Sequence, residues 1–227
     1  MLVSEQIPKE DLDYILEQFK EDKEEDNKKI ISEKIIAVIR DAKGNIIDKR
    51  EQKMKSLTQY YLALMSIAIL GTYSGSTGAN ASPILKNVLG LPNNQSTNNN
   101  NTVIISFDTS IQLGSGTQSF SPTLKGLNAP ISNGSGTGQL YYYTQNVSYN
   151  NNSISQILTV SNISGNTVNV NEIGLLGTIY ITYTQVATGV LISTYNYLLS
   201  YDTFSSPISI PNYGSASFQI IITFSGW

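Results

Sequence analysis

The chain has 227 residues, a formal net charge of −3, no cysteine and no histidine. That length admits one large domain or two small ones around a real core. The two missing residue types remove disulfides, thiol nucleophiles and the commonest metal ligands and general bases, and the charge offers no basic footprint for nucleic acid.

The charge is unevenly placed. Residues 1–56 hold 14 of the 17 acids and 12 of the 14 bases. The other 171 residues carry only Lys86, Asp108, Lys125, Glu172 and Asp202, in a background of Ser, Thr, Asn, Gly, Tyr and Ile. Two regions with different physical tasks are implied. The N-terminus, MLVSEQIPKEDLDY, is acidic and lacks the apolar central segment of a secretory signal.

In chain order, residues 8–30 predict a helix. Pro8 suits its first turn and the acids that follow complement the positive end of the helix dipole. Leu12, Ile15, Leu16 and Phe19 make one short apolar stripe. The segment reads either as a solvated arm or as a helix that leans on a partner, since the stripe is too short to stabilise it alone. Residues 33–52 predict a β-hairpin, with Ile35, Ile36, Val38 and Ile39 as β-formers, DAKGN as the turn, and Ile46 and Ile47 opening the return strand.

SLTQYYLALMSIAIL, residues 56–70, is the most apolar run. Its dense part, Tyr60 to Leu70, has eleven residues, whereas a bilayer span needs roughly 20, so the sequence predicts no membrane span. Leu57, Tyr61, Leu64, Ala68 and Gly71 fall on one helical face, and Tyr60, Leu62, Ile67 and Ile69 on others. A helix apolar nearly all round is buried nearly all round. The expectation is an assembly helix over 57–71, with Leu57, Tyr61, Leu64, Ile67 and Ala68 at a subunit interface. Residues 73–101, rich in Ser, Gly and Asn, read as a linker around the short ILKNVLG.

From Thr102 the signal is β. Candidate strands are 102–108, 139–149, 155–163, 167–175, 178–186, 191–201 and 216–226, separated by Gly, Asn, Ser or Pro clusters. SFSPTLKGL and SSPISIP are candidates for two more. That rhythm is an antiparallel sandwich or barrel and not a series of βαβ units.

Enzymatic machinery is hard to assemble from these residues. The β region has three carboxylates, Asp108, Glu172 and Asp202, at least 30 residues apart in sequence, and acid–base chemistry needs paired titratable groups. GSGTGQL (134–140) lacks the strand–helix context and the Lys-Ser/Thr of a phosphate loop, so it reads as a turn, as does GSGTQSF (114–120). The many serines have no base to activate them. No catalytic residue, cofactor or metal site is expected. The tyrosines of QLYYYTQ and STYNYLLSY suit sheet packing first and an adaptable binding surface second. Asn80, Asn94, Asn100, Asn133, Asn146, Asn151 and Asn162 fit the N-x-S/T sequon and are the candidate glycosylation acceptors.

IAVIRDAKGNII followed by SLTQYYLALM resembles the opening of a class of virion structural proteins found in tailed phages and archaeal viruses. Those begin with a hairpin of the form v-D-x-x-G-x-v and a helix of the form S-[FL]-x-x-x-[FY]-L, matched here by Asp41, Gly44, Ser56, Leu57, Tyr61 and Leu62. They end with an E-I-G-L strand (Glu172 to Leu175), a Leu-rich strand closed by an acid (Leu198, Leu199, Asp202), a segment of the form v-x-v-P-x-G (here Ile210, Pro211 and Gly214, with one residue more between Pro and Gly) and a final alternating strand, SFQIIITFSG. Tyr201 stands where that pattern carries Arg. The resemblance covers about half the chain, and the order of its motifs is more specific than any one of them. The Asn-, Ile- and Tyr-rich, Cys-free composition is similar to proteins of viruses infecting Sulfolobales.

The resulting expectation is a mainly β protein: an antiparallel β-sandwich, jelly-roll-like in one version, preceded by a helix–hairpin–helix module. Its parts are residues 1–72, a linker at 73–101, and a sandwich at 102–227. The function the resemblance implies is that of a non-enzymatic virion part in the extracellular particle, a homo-oligomeric ring such as a tail nozzle, adaptor or turret, touching other virion structural proteins. The rival readings are a cell-surface adhesin or pilus-type subunit and a receptor-binding fibre, with host surface glycans as ligand.

Overall fold

In the computed structural model the described residues are 31–54, 56–58, 60–61, 102–185 and 189–224, and they are mainly β. The strands are β1 (Ile31–Arg40), β2 (Ile46–Lys53), β3 (Ser56–Leu57), β4 (Thr102–Gly114), β5 (Tyr141–Tyr142), β6 (Asn146–Asn150), β7 (Ser153–Ser161), β8 (Val168–Gln185), β9 (Gly189–Ile210) and β10 (Ser215–Phe224). They form two sheets. Sheet A runs β2-β1-β10-β7-β5, with β6 also on β7; sheet B runs β3-β9-β8-β4. The chain divides into two compact units, one of residues 1–28, 59–107 and 179–195, the other of residues 29–58, 108–178 and 196–227. The side-chain detail below belongs to the second unit.

Alternation explains the strands. β10 alternates half-buried and buried positions along most of its length, and β1 buries Glu33, Ile35, Ala37 and Ile39 on one face. β1 pairs antiparallel with β10 over ten positions, from Ile31↔Phe224 to Arg40↔Ser215. β7 continues the sheet on the other side of β10, from Ser161↔Ser215 to Ser153↔Thr223. The core faces of the two sheets meet in a sandwich-like arrangement. Phe204 on β9 touches Phe218 on β10 at a ring separation of 6.3 Å. Leu158, Val160 and Ile220 from sheet A and Ile111, Leu113, Val170 and Ile208 from sheet B are buried, each at 1 % exposure or below except Ile111 at 2 %. Burying each such side chain stabilises the fold by about 1.5–3 kcal/mol.

The hairpin turn forms as its residues dictate. The Asp41 carboxylate accepts the Lys43 and Asn45 N–H groups at 2.8 and 2.9 Å and the Asn45 side-chain amide at 3.0 Å, and Gly44 takes φ +85°. These bonds, the Asn45 side chain first, hold the Asp41 carboxyl below the usual carboxylate range.

The structure differs from the sequence expectation in several places. The hairpin is not part of a separate module at 1–72. It forms two of the strands of sheet A, because β1 finds its partner in the last strand of the chain. Ser56 and Leu57 are not helical, because they pair with Tyr201 and Ser200 on β9. Only Tyr60 and Tyr61 are helical among the described residues. Thr58 is not helical either, its N–H donating to the Leu199 carbonyl at 2.9 Å; residues 59 and 62–71 of the expected helix, the helix at 8–30 and the linker at 73–101 lie outside the described residues. The separate strands expected at 167–175 and 178–186 are the single β8, and those at 191–201 and SSPISIP are the single β9. Pro207 is tolerated inside β9 because its carbonyl, and with it its nitrogen, faces the Arg50 guanidinium and not another strand.

Two consequences follow for stability. Removing residues 1–53 strips β10 of ten pairing positions, so that truncation is expected to give a chain with no cooperative thermal transition in circular dichroism. At Gly174 an added Cβ would lie 2.5 Å from a Leu198 methyl and 3.0 Å from a Leu127 methyl. Gly174→Ala is expected to destabilise by about 1–3 kcal/mol through overpacking, read from the urea midpoint.

Candidate functional site

Three buried carboxyl groups, a set of covered sheet edges and one exposed strand are the features with functional content. Glu172 lies on β8, fully buried. Its carboxylate accepts the Ala129 N–H at 2.9 Å and the Asn128 N–H at 3.3 Å. These bonds tie the 115–131 segment to sheet B, where Leu127 packs on Leu198 and Tyr201 with Leu124 and Leu176 alongside. The Tyr201 hydroxyl donates to the Gln118 carbonyl at 3.1 Å and accepts the Gln118 N–H at 3.2 Å. Burial above all, with the Glu172 charge adding to it, pushes that hydroxyl up to about 12. Where the resemblance has Arg, this chain therefore has a neutral hydroxyl that pins a loop.

Asp202 follows on β9. Its carboxylate accepts the Thr203 N–H at 2.8 Å and the Gln52 amide at 3.1 Å. Asp108 is exposed and accepts the Thr109 N–H at 2.8 Å. Each of the three carboxylates thus satisfies backbone or amide donors. No group of three or more acidic side chains able to hold a metal ion occurs among the described residues.

Glu33 is different. It occupies the inward face of β1 in line with Ile35, Ala37 and Ile39, 6 % exposed. Neither carboxyl oxygen has a hydrogen-bond partner, and the buried Ser200 hydroxyl on β9 has none either. Burial raises the Glu33 carboxyl to about 7; the Ser200 hydroxyl beside it offsets part of the rise without closing a bond of ordinary geometry. Sequence reasoning passed over Glu33, although its period-2 register with Ile35, Ala37 and Ile39 marks it as inward-facing.

The sheet edges are closed by side chains. On β4, the Ile111 N–H and carbonyl bond the Gln145 side chain at 2.7 and 3.1 Å, and the Thr109 carbonyl accepts the Gln156 amide at 2.7 Å. Further along, the Ile131 N–H donates to the Leu113 carbonyl at 2.8 Å and the Ser115 N–H to the Ala129 carbonyl at 2.9 Å. On β9, the short β3 and Thr58 cover residues 198–201, and beyond them Gln52 donates to the Thr203 carbonyl at 3.3 Å and Arg50 to the Pro207 carbonyl at 3.1 Å. The β2 edge carries Asp48, Lys49, Arg50, Glu51 and Lys53, the charged protection usual for an exposed edge. The β6 edge has no such device among the described residues: all five of its residues are exposed and uncharged.

Of the expected interface residues, Tyr61 is buried and Leu57 half-buried in β3, while Leu64, Ile67 and Ala68 lie outside the described residues. Among the sequons, Asn133, Asn146 and Asn151 are exposed and Asn80, Asn94 and Asn100 lie outside the described residues. Asn162 is corrected as an acceptor. It is fully buried, and its side-chain amide donates to the Asn166 and Ile210 carbonyls, each at 2.7 Å, leaving no hydrogen for a glycosyl bond. Tyr141 and Tyr143 stand exposed in an edge-to-face pair, ring centroids 5.2 Å apart. Tyr213, 71 % exposed, is held at φ +62° by the bonds of the 211–214 turn to Asn162. Among the described residues no helix is long and apolar enough to cross a membrane.

No protein-family model, no curated protein and no solved structure matches the chain.

Glu33 gives a pH dependence with a definite sign. Below its ordinary value of 4.5 the carboxyl is neutral in both states; between 4.5 and about 7 the folded chain keeps a proton that the unfolded chain releases. The stability that Glu33 contributes should therefore be full below pH 4.5 and fall as pH rises to about 7, by up to about 3 kcal/mol. Glu33→Gln should remove that component, so that the difference in urea midpoint between the variant and the parent chain grows across this window. Equal midpoints at every pH would contradict a buried neutral acid. Separately, Glu172→Ala, which takes the buried acceptor away from the Asn128 and Ala129 N–H groups, is expected to cost about 1–3 kcal/mol and to increase proteolysis within 115–131.

Proposed function

We propose that this protein is a non-enzymatic structural component of a virus particle, a homo-oligomeric, ring-like part such as a tail nozzle, adaptor or turret. One observation carries the reading. The residues that give the resemblance to virion proteins, where they fall within the described structure, are framework residues of one β unit. Asp41 and Gly44 make the β1–β2 turn, Glu172 and Gly174 receive the strap at 115–131, Leu198 packs under Leu127, and Pro211 and Gly214 close the turn into β10. A motif set devoted to framework belongs to a protein whose task is shape.

The strand pairing supports the jelly-roll version of the fold. β1 lies on β10, β3 on β9, β8 beside β4, and β6 on β7. These are the nested pairs of one long hairpin folded over, although β4 and β8 share a sheet with β3 and β9 here, an order of its own. The charge partition supports a division of labour between a charged arm and an uncharged wall. A second reading, a receptor-binding fibre or adhesin, draws support from the exposed Tyr141, Tyr143 and Tyr213, whose rings could stack on host surface saccharides.

The native mass of the full-length chain, by light scattering behind a sizing column with electron microscopy of the same fraction, tests the proposal. A discrete ring of about six or more copies is expected. A chain that stays monomeric at every concentration removes the self-assembling ring, and saccharide-dependent quenching of tyrosine fluorescence in such a monomer would favour the second reading.

A further inference from the structure

We propose that β6 is the strand by which two copies of this chain join, antiparallel across a two-fold axis at Ser148, continuing sheet A from one copy into the next. The inference rests on the assembly reading only in that both require self-association. It names a surface which that reading leaves open.

The first ground is the treatment of the edges. Gln145, Gln156 and the 129–131 segment occupy β4; β3, Thr58, Gln52 and Arg50 occupy β9; and charge guards β2. On β6, residues 146–150, every residue is exposed, and no charged residue occurs anywhere from 126 to 171. An uncharged strand that pairs on one side only among the described residues is a template for another strand. A unit that covers or charges its other described edges and leaves this one bare has a use for it.

The second ground is the sequence of the strand, Asn146-Val147-Ser148-Tyr149-Asn150. It is a palindrome in chemical type. An isologous contact requires that residue i meet j and j meet i. With Ser148 opposite itself, Asn146 meets Asn150 of the other copy, and Val147 meets Tyr149. The aromatic–β-branched pair is one of the favourable cross-strand combinations, and the Ser–Ser and Asn–Asn pairs can exchange hydrogen bonds. The same pairing covers two of the large apolar side chains this unit exposes, Tyr149 at 79 % and Val147 at 44 %. The occupant is a second copy because the strand complements itself. The β2 edge instead carries Asp48, Lys49, Arg50, Glu51 and Lys53, the charged guard of an edge kept from pairing. Asn146 is also a sequon, so a glycan there and strand pairing would exclude each other.

The absence of cysteine makes the test direct. Residues opposite one another in an antiparallel pair have Cα atoms about 4.5–5.5 Å apart, within the span of a disulfide. In full-length protein under mild oxidation, Ser148→Cys should form a disulfide-linked dimer at least about tenfold faster than the control Ser135→Cys, another exposed serine, because the partner strand supplies a high effective thiol concentration. Val147→Cys co-expressed with Tyr149→Cys should cross-link faster than either variant alone. Ser148→Lys, which sets two cations face to face, should lower the native mass while leaving the melting temperature of the fold unchanged.

Cross-linking of Ser148→Cys no faster than the control overturns the proposal. So does Val147→Cys pairing with itself as fast as with Tyr149→Cys. If the protein is a discrete oligomer in light scattering and Ser148→Cys still fails to cross-link, the β6 contact is wrong and the assembly reading stands. If the protein is a monomer that does not cross-link, both fail together.

Discussion

The pairing of β1 with β10 is the contact on which the rest of the fold depends. It joins residues 31–40 to residues 215–224 over ten consecutive positions, across nearly the whole described chain. β2 has a place only because β1 is already in the sheet, and β7 attaches to the other side of β10. Sheet B is likewise non-local where β3, residues 56–57, meets β9 at Ser200 and Tyr201. Such contacts carry a large loop-closure cost before they return any burial, and folds dominated by them form slowly. The ten-position register and the alternating buried face of β10 compensate, since a slip of one residue would turn Phe218 and Ile220 outward.

Amide side chains hold what the ladders leave over. Gln145 and Gln156 bond the free groups of β4, and Gln52 bonds Thr203 on β9. Asn162 joins the turn after β7 to the turn before β10. A carboxamide offers a donor and an acceptor with the geometry of a peptide group, so it can stand in for a missing strand without bringing a charge into the sheet. The high Asn and Gln content of an almost uncharged region is, in part, this structural device.

The strands were legible in the sequence, and their lengths were less so. Runs of β-forming residues between turn signals located the start of β1 and both ends of β7 and β10 to within two residues, and the buried face of each strand accounts for the apolar residues in those runs. The turn signals divided β8 at 176–177, where Gly177 read as a break, and β9 at 202–204, ahead of SSPISIP. Neither gap exists in the sheet: Gly177 is buried inside β8, and Asp202, Thr203 and Phe204 continue β9. Leu57 read as helical because helix periodicity can be drawn through it. Its partner, Ser200, is 143 residues away, and no local pattern reveals such a pairing. The same limit hid the roles of Glu172 and Asp202, whose donors come from distant segments. Asn162 matched a three-residue motif, and only tertiary burial removes it as an acceptor.

Glu33 and β6 are local departures from rules the rest of the unit obeys. The other buried carboxylates have donors; Glu33, facing Ser200 across the core, has none. The other edges of this unit are covered or charged among the described residues; β6 is neither. The two differ in how they could be relieved. Glu33 sits between the sheets, where taking up a proton is the cheapest way to lower its desolvation cost. β6 lies at the surface, where only another strand can satisfy a row of backbone groups and cover Tyr149 at once. Its bareness is therefore better read as half of an interface than as a tolerated defect, since one lysine in place of Ser148 would guard the edge at little cost to the fold.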